Sequence, residues 1–107
     1  MPKVTVTVPH SHPPDEVVQR AGPYIEKIVD DFQGSDLEIE WVDHKADFSF
    51  TSLTFTIKGN VDVTPEDITV IVELPFAAMI FKDKVEKALN KNLTRAVSDE
   101  EAPDGEE

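Results

Sequence analysis

The stretch Ile68-Thr69-Val70-Ile71-Val72-Glu73-Leu74-Pro75-Phe76 decides the fold. Ile68, Val70, Val72 and Leu74 alternate onto one face, and Ile71 keeps the opposite face from being wholly polar, the pattern of a strand with neighbours on both sides. This strand is expected to be central in a sheet. Pro75 cannot donate to a ladder and has its φ preset for a helix start, so the chain is expected to leave the sheet there and enter a helix. Phe81, Val85, Ala88 or Leu89, and Leu93 recur at helical spacing as its buried stripe, with Val97 near its end.

Upstream, Thr64-Pro65-Glu66-Asp67 reads as a type I turn with Pro at its second position. Before it lie two alternating runs, Asp47-Phe48-Ser49-Phe50 and Leu53-Thr54-Phe55-Thr56-Ile57, the second continuing through Gly59 to Val61 and Val63. Their apolar parity slips between Phe50 and Leu53, so a turn, or else a bulge, is expected at Thr51-Ser52, and the turn is favoured. Leu37, Ile39 and Trp41 alternate against Glu38 and Glu40, and Asp43-His44-Lys45 turns that strand into the next one. At the start of the chain Val4, Val6 and Val8 form one face of a strand closed by Pro9.

Pro13-Pro14-Asp15-Glu16 is a helix start, with fixed φ and negative charge on the first turn. Val17, Ala21, Tyr24, Ile28 and Phe32 follow as a buried stripe widened by Val18, Ile25 and Val29. Because Pro23 cannot donate to the carbonyl of Gln19, a kink or two abutting helices are expected. Gln33-Gly34-Ser35 supplies the glycine expected to end this segment. The order β-α-β-β-β-β-α is that of an α+β domain, an antiparallel sheet of four to five strands with its helices on one face. In outline it resembles a reduced helix-grip domain.

The 107 residues are 39% hydrophobic and suffice for one core, so residues 1–97 are read as a single domain. Ser98 to Glu107 carry six carboxylates, no basic residue and one aliphatic side chain, the composition of a disordered acidic tail. Setting those six aside from 22 acidic residues leaves 16 against 10 Lys and Arg, so half of the net charge of -12 belongs to the tail. That field repels nucleic acid. No apolar run approaches the roughly 18 residues of a membrane span, and no apolar signal region follows Met1-Pro2-Lys3, so a cytoplasmic location is expected. Absence of cysteine excludes disulfides, thiolate metal sites and thiol nucleophiles.

Four segments together carry a likeness to a known family: the first strand closed by Pro9-His10, the Trp41 strand, Ile57-Lys58-Gly59-Asn60-Val61-Asp62-Val63, and Val72-Glu73-Leu74-Pro75-Phe76 leading into an amphipathic helix. The chain resembles the polyhydroxyalkanoic acid system family over most of residues 3 to 95. These are small bacterial proteins named for genes found near polyester granule synthesis. The resemblance implies an association with storage-polymer metabolism and carries over no reaction and no catalytic residue.

The chemistry-bearing residues point to no enzyme. His10 and His12 with Asp15 and Glu16 offer fewer convergent ligands than a metal site needs, and His44 sits in a turn with no evident reason to approach. No serine stands in a Gly-x-Ser-x-Gly context, and the four glycines form no phosphate cradle. No cofactor is expected. Glu38, Glu40 and Glu73 read as a wet sheet face.

Two regions are candidates for binding. Phe76-Ala77-Ala78-Met79-Ile80-Phe81 is too long an apolar run for one buried helix face. Either sheet and first helix cover it on both sides, or Phe76, Met79, Ile80 and Phe81 form an exposed patch beside the basic residues Lys82, Lys84, Lys87 and Lys91. The second candidate is a cavity lined by Tyr24, Trp41, Phe48, Phe50 and Phe55, whose alternative is a filled core. The first reading is an accessory protein that binds a hydrophobic surface or a protein partner, its basic helix screened by the tail. The alternative is a carrier of small acyl or hydroxyacyl ligands, and a homodimer through the apolar turn or the edge Lys3 to Val8 is a third possibility.

Overall fold

The computed structural model describes residues 3–98; the expected acidic tail, Ser98 apart, lies outside them. The elements are β1 (Lys3–Pro9), α1 (Pro14–Asp31), β2 (Gly34–Val42), β3 (Lys45–Ser52), β4 (Phe55–Val63), β5 (Asp67–Glu73), a 3-10 turn η1 (Phe76–Phe81) and α2 (Lys82–Ala96). All five strands join one antiparallel sheet in the order β1-β5-β4-β3-β2. This is the α+β order read from the sequence. β5 lies inside the sheet between β1 and β4, as its apolar run requires.

One face of the sheet carries the core. Val4, Val6 and Val8 of β1, Ile68, Val70 and Val72 of β5, Ile57, Val61 and Val63 of β4, and Ala46, Phe48 and Phe50 of β3 are all buried there. Val17, Ala21, Ile25, Ile28 and Val29 of α1 and Val85, Leu89 and Leu93 of α2 close over them, the two helices also packing on each other. The opposite face alternates half-buried and exposed residues and is largely polar.

Several sequence expectations need correction. α1 runs as one helix through Pro23 rather than as two abutting helices. Gln19 and Pro23 are both exposed, so water can satisfy the carbonyl that Pro23 leaves without a donor. The left-handed residue after α1 is Gln33 (φ 56°), not Gly34. Gly34 is needed instead for close approach, since a Cβ there would sit 2.6 Å from Cγ1 of Val29 and 2.8 Å from Cδ2 of Phe50.

The turn between β3 and β4 is Leu53-Thr54, because Ser52 pairs with Phe55 and Leu53 takes φ 57°. Leu53 is therefore a turn residue, 60% exposed, and the parity slip is explained two residues later than expected. After β5 the chain enters η1 before it becomes α-helical at Lys82, so Pro75 opens a 3-10 turn and not α2 itself. At Thr64-Asp67 the side-chain oxygen of Thr64 accepts from the amides of Glu66 and Asp67, at 3.2 and 3.0 Å. This is a hydroxyl-closed turn in place of one closed by the backbone carbonyl.

Gly59 faces the core opposite Phe48, and the Phe48 ring occupies the space its side chain would take. A Cβ at residue 59 would meet Cζ of Phe48 at 2.5 Å and the carbonyl oxygen of Ile71 at 2.4 Å. The ring can move but the backbone oxygen cannot without breaking the β4–β5 register. Gly59→Ala is expected to lower unfolding stability by about 1–3 kcal/mol, as overpacking does, measured by urea denaturation.

Candidate functional site

The site centres on the passage from β5 to α2. Pro75 leaves the sheet in an extended conformation, and its carbonyl accepts from the amide of Ala78 at 2.8 Å to close the first turn of η1. With three residues per turn, side chains three apart stack in the same direction. Phe76 with Met79, Ala77 with Ile80 and Ala78 with Phe81 therefore make three rows. Only the last row turns to the core: Ala78 is 2% exposed and Phe81 38%. Phe76 is 73%, Ile80 82% and Met79 41% exposed.

The patch continues inward. An apolar cavity of about 60 Å³ lies beneath η1, between both helices and the sheet. Phe32, Leu53, Phe55 and Phe81, each exposed or half-buried, stand among its lining residues and mark where it meets the surface. Phe48, Phe50 and Phe55 of the expected cavity set line it, whereas Tyr24 and Trp41 do not. Trp41 pairs with Ala46 at the start of β3, far along the strand from the Phe50 end where the cavity lies. Tyr24 is half-buried on α1 and lies off the row of Ile25, Ile28, Val29 and Phe32 that lines it. The hydroxyl of Ser52, the polar group among the lining side chains, donates to the carbonyl of Phe32.

Beyond η1, Lys82, Lys84, Lys87 and Lys91 are all exposed along α2. Lys84, Lys87 and Lys91 with half-buried Arg95 follow three- and four-residue steps, and Asp83 and Glu86 stand four residues from Lys87 and Lys82, so this side of the helix carries both signs with the cations in excess. The apolar turn thus adjoins a cationic edge.

The histidines are engaged in holding the fold. Nδ1 of His10 accepts from the amide of His12 at 3.1 Å, which places the ring proton on Nε2, and Nε2 donates to the carbonyl of Thr64 at 2.8 Å. Nε2 of His12 lies 3.0 Å from the carbonyl oxygen of Val97. Arg20 donates to the carbonyls of Ser98 and Ala96 at 3.0 and 3.4 Å and pairs with Glu16 at 2.7 Å. The start of α1 thereby supplies positive charge to the C-terminal end of α2, where helix carbonyls lack donors. His44, contrary to expectation, does approach this helix: its Nε2 lies 2.7 Å from Oδ1 of Asp15. Among the described residues, no three His, Asp or Glu side chains converge to hold a metal ion.

Asn92 of α2 was not anticipated. It is 1% exposed, its Nδ2 donates to the carbonyl of Ala88 at 2.9 Å, and its Oδ1 has no partner among the described residues. Its only sequence signal is position, three residues after Leu89 and four before Ala96 on the buried stripe. Asn92→Leu, which removes an unpaired buried acceptor and keeps the branched shape and heavy-atom count of the side chain, is expected to leave stability unchanged or raise it by about 1 kcal/mol in thermal unfolding. By contrast, the double variant Phe76→Ser, Ile80→Ser is expected to shift stability by less than about 1 kcal/mol, since both side chains already face water. A loss of several kcal/mol in the double variant would mean that the patch is part of the core.

No curated protein matches this chain. A solved structure, TTHA0849 from Thermus thermophilus, is 12% identical, with 90% of this chain and 94% of that one covered at a TM-score of 0.42. A family profile described as "Putative polyhydroxyalkanoic acid system protein" matches residues 4–97. That span runs from the second residue of β1 to the residue that caps α2, taking in η1 and every element of the core, and the chain belongs to the polyhydroxyalkanoic acid system family.

Proposed function

We propose that this protein is a non-enzymatic accessory module of the cytoplasm that docks through η1 on the hydrophobic surface of a polyhydroxyalkanoate storage polymer. The observation that carries the reading is the exposure of Phe76, Met79 and Ile80 within η1, with Phe81, 38% exposed, at the mouth of the cavity beside them. Such a contiguous apolar patch beside polar surroundings is the mark of an interaction surface. An aliphatic polyester offers methyl and methylene groups to the aromatic and aliphatic side chains, and ester carbonyls as acceptors for ammonium groups. Lys82, Lys84, Lys87 and Lys91 are exposed along α2 beyond the patch, and ammonium groups among them would meet those carbonyls while their stems extend the apolar contact. The family description, a polyhydroxyalkanoic acid system protein, supports the choice of polymer, and the exposed patch supports a surface contact.

The carrier reading is less well supported. The cavity beneath η1 measures about 60 Å³, whereas sites that enclose a ligand usually offer ~300 Å³ or more. An acyl thioester chain would require the helices to move apart. If it bound nonetheless, a saturating ligand at ~100 times its dissociation constant would stabilise the fold by ~2.7 kcal/mol, visible as a rise in Tm.

Docking is tested by co-sedimentation of the full chain with polyhydroxybutyrate particles. Removing Phe76 and Ile80 takes away burial worth roughly 1.5–3 kcal/mol each. The variant Phe76→Ser, Ile80→Ser should therefore partition roughly a hundredfold or more weakly than wild type. Equal partition of both proteins, or equal adsorption of wild type to hydrophilic beads of the same size, would sink the proposal.

A further inference from the structure

The two edges of the sheet are built differently. At the β2 edge, pairing with β3 is interrupted between Ser35 and Glu38, Asp36 takes φ 58°, and Asp36, Glu38 and Glu40 are exposed carboxylates. A bulge and like charges are the devices by which a sheet edge refuses another strand. At the other edge, β1 pairs with β5 without interruption from Lys3 to Pro9, and among the described residues nothing pairs with its outer side. It is β-branched at every position from Val4 to Val8 and carries no acidic side chain.

The direction of its free groups follows from one hydrogen bond. The amide of His10 donates to the carbonyl of Glu66 at 3.0 Å, toward the β5 side. Backbone groups alternate along a strand, so Val4, Val6 and Val8 also bond toward β5, and Lys3, Thr5 and Thr7 direct both amide and carbonyl outward. Pro9 has the same outward parity, and the donor it lacks is one that β5 never used.

We infer that β1 is a self-pairing edge, and that two copies of this chain join antiparallel through it about Thr5. In that register Lys3 stands opposite Thr7 of the partner subunit, Thr5 opposite Thr5 of the partner subunit, and the outward groups of these residues exchange roughly six hydrogen bonds. Lys3 meets no like charge, and Pro9 falls beyond the paired residues. Centring the pair on Thr7 would instead set Thr5 against Pro9 of the partner subunit and lose donors at both ends. The two-fold axis stands perpendicular to the sheet, so Val4 and Val6 of both copies continue one apolar face on the helix side. A second strand of this same sequence therefore satisfies every outward donor that β1 offers. The blunted β2 edge stops further addition, so the assembly closes as a dimer rather than growing into a fibre. This pairing uses none of the residues of η1.

The test is sedimentation equilibrium of the full chain over a wide concentration range, in about 0.3 M salt to screen the mutual repulsion of two acidic copies. A mass rising from 11.9 kDa toward twice that value is expected for wild type. Thr5→Lys, which sets two ammonium groups face to face on the wet side of the sheet, should return the mass to that of the monomer. Because the chain has no cysteine, a single introduced thiol reads the register. Thr5→Cys should form a disulfide-linked dimer on mild oxidation, its Cα atoms lying about 5.5 Å apart, whereas Thr7→Cys, about 14 Å from its counterpart, should not. A monomeric mass for wild type throughout, a dimer that survives Thr5→Lys, or crosslinking through Thr7→Cys in preference to Thr5→Cys would each overturn the assignment.

Discussion

Everything in this fold follows from covering one face of a five-stranded sheet with only two helices. Strands about 4.8 Å apart make a layer roughly 24 Å wide, and two helices side by side at 8–10 Å cover somewhat less. The shortfall lands on β2, where none of Leu37, Ile39 and Trp41 is fully buried although all three face the core and pack against it. Strands β1 and β5, by contrast, bury every second residue almost completely, and β3 and β4 do so except at Ser52, Phe55 and Gly59. Trp41, the largest side chain available, stands half-buried at this edge and packs against the core.

Cover this sparse must be held in place at its ends, and the polar residues near the start of α1 do that. His10 joins the end of β1 to the turn before β5 through Thr64, while His12 and Arg20 grip the last carbonyls of α2. The imidazole and guanidinium groups of these residues are spent on carbonyl oxygens at element ends, where helix and turn leave acceptors without donors. Charge-assisted bonds from Arg20 also place a cation at the negative end of the α2 dipole, which favours the same arrangement twice over.

What was legible in the sequence is what depends on period. Alternation in Val4-Val8 and Ile68-Leu74, and the three-and-four spacing in both helices, report burial directly, and the element order followed from them. What was not legible depends on backbone conformation or on long-range approach. Leu53 looks like a strand residue but takes a left-handed turn conformation, so the β3–β4 turn lay two residues from where parity placed it. Gln33 and not Gly34 adopts positive φ, and Gly34 is needed instead where Val29 and Phe50 leave no room for a side chain. His44 meets Asp15 across 29 residues of sequence, a contact that no local pattern encodes. The cavity aromatics divided the same way. Phe48, Phe50 and Phe55 share one end of a hairpin, while Trp41 shares their face but not their end.

The run Phe76-Phe81 shows how backbone geometry decides what composition leaves open. Six apolar residues in an α-helix would spread around the axis at steps of about 100°, and a sheet on one side and α1 on another could hide most of them. A 3-10 turn gathers the same residues into three rows, and a single layer of sheet can take only one. Ala78 and Phe81 are that row, so Phe76, Met79 and Ile80 face water as a direct result of how β5 hands over to α2. Keeping such side chains in water forgoes about 25 cal/mol for each Å² left unburied, and polar residues in the two outward rows would relieve that loss without touching the core. The packing of the fold therefore gives no reason for Phe76 and Ile80, and the docking proposed above would supply one.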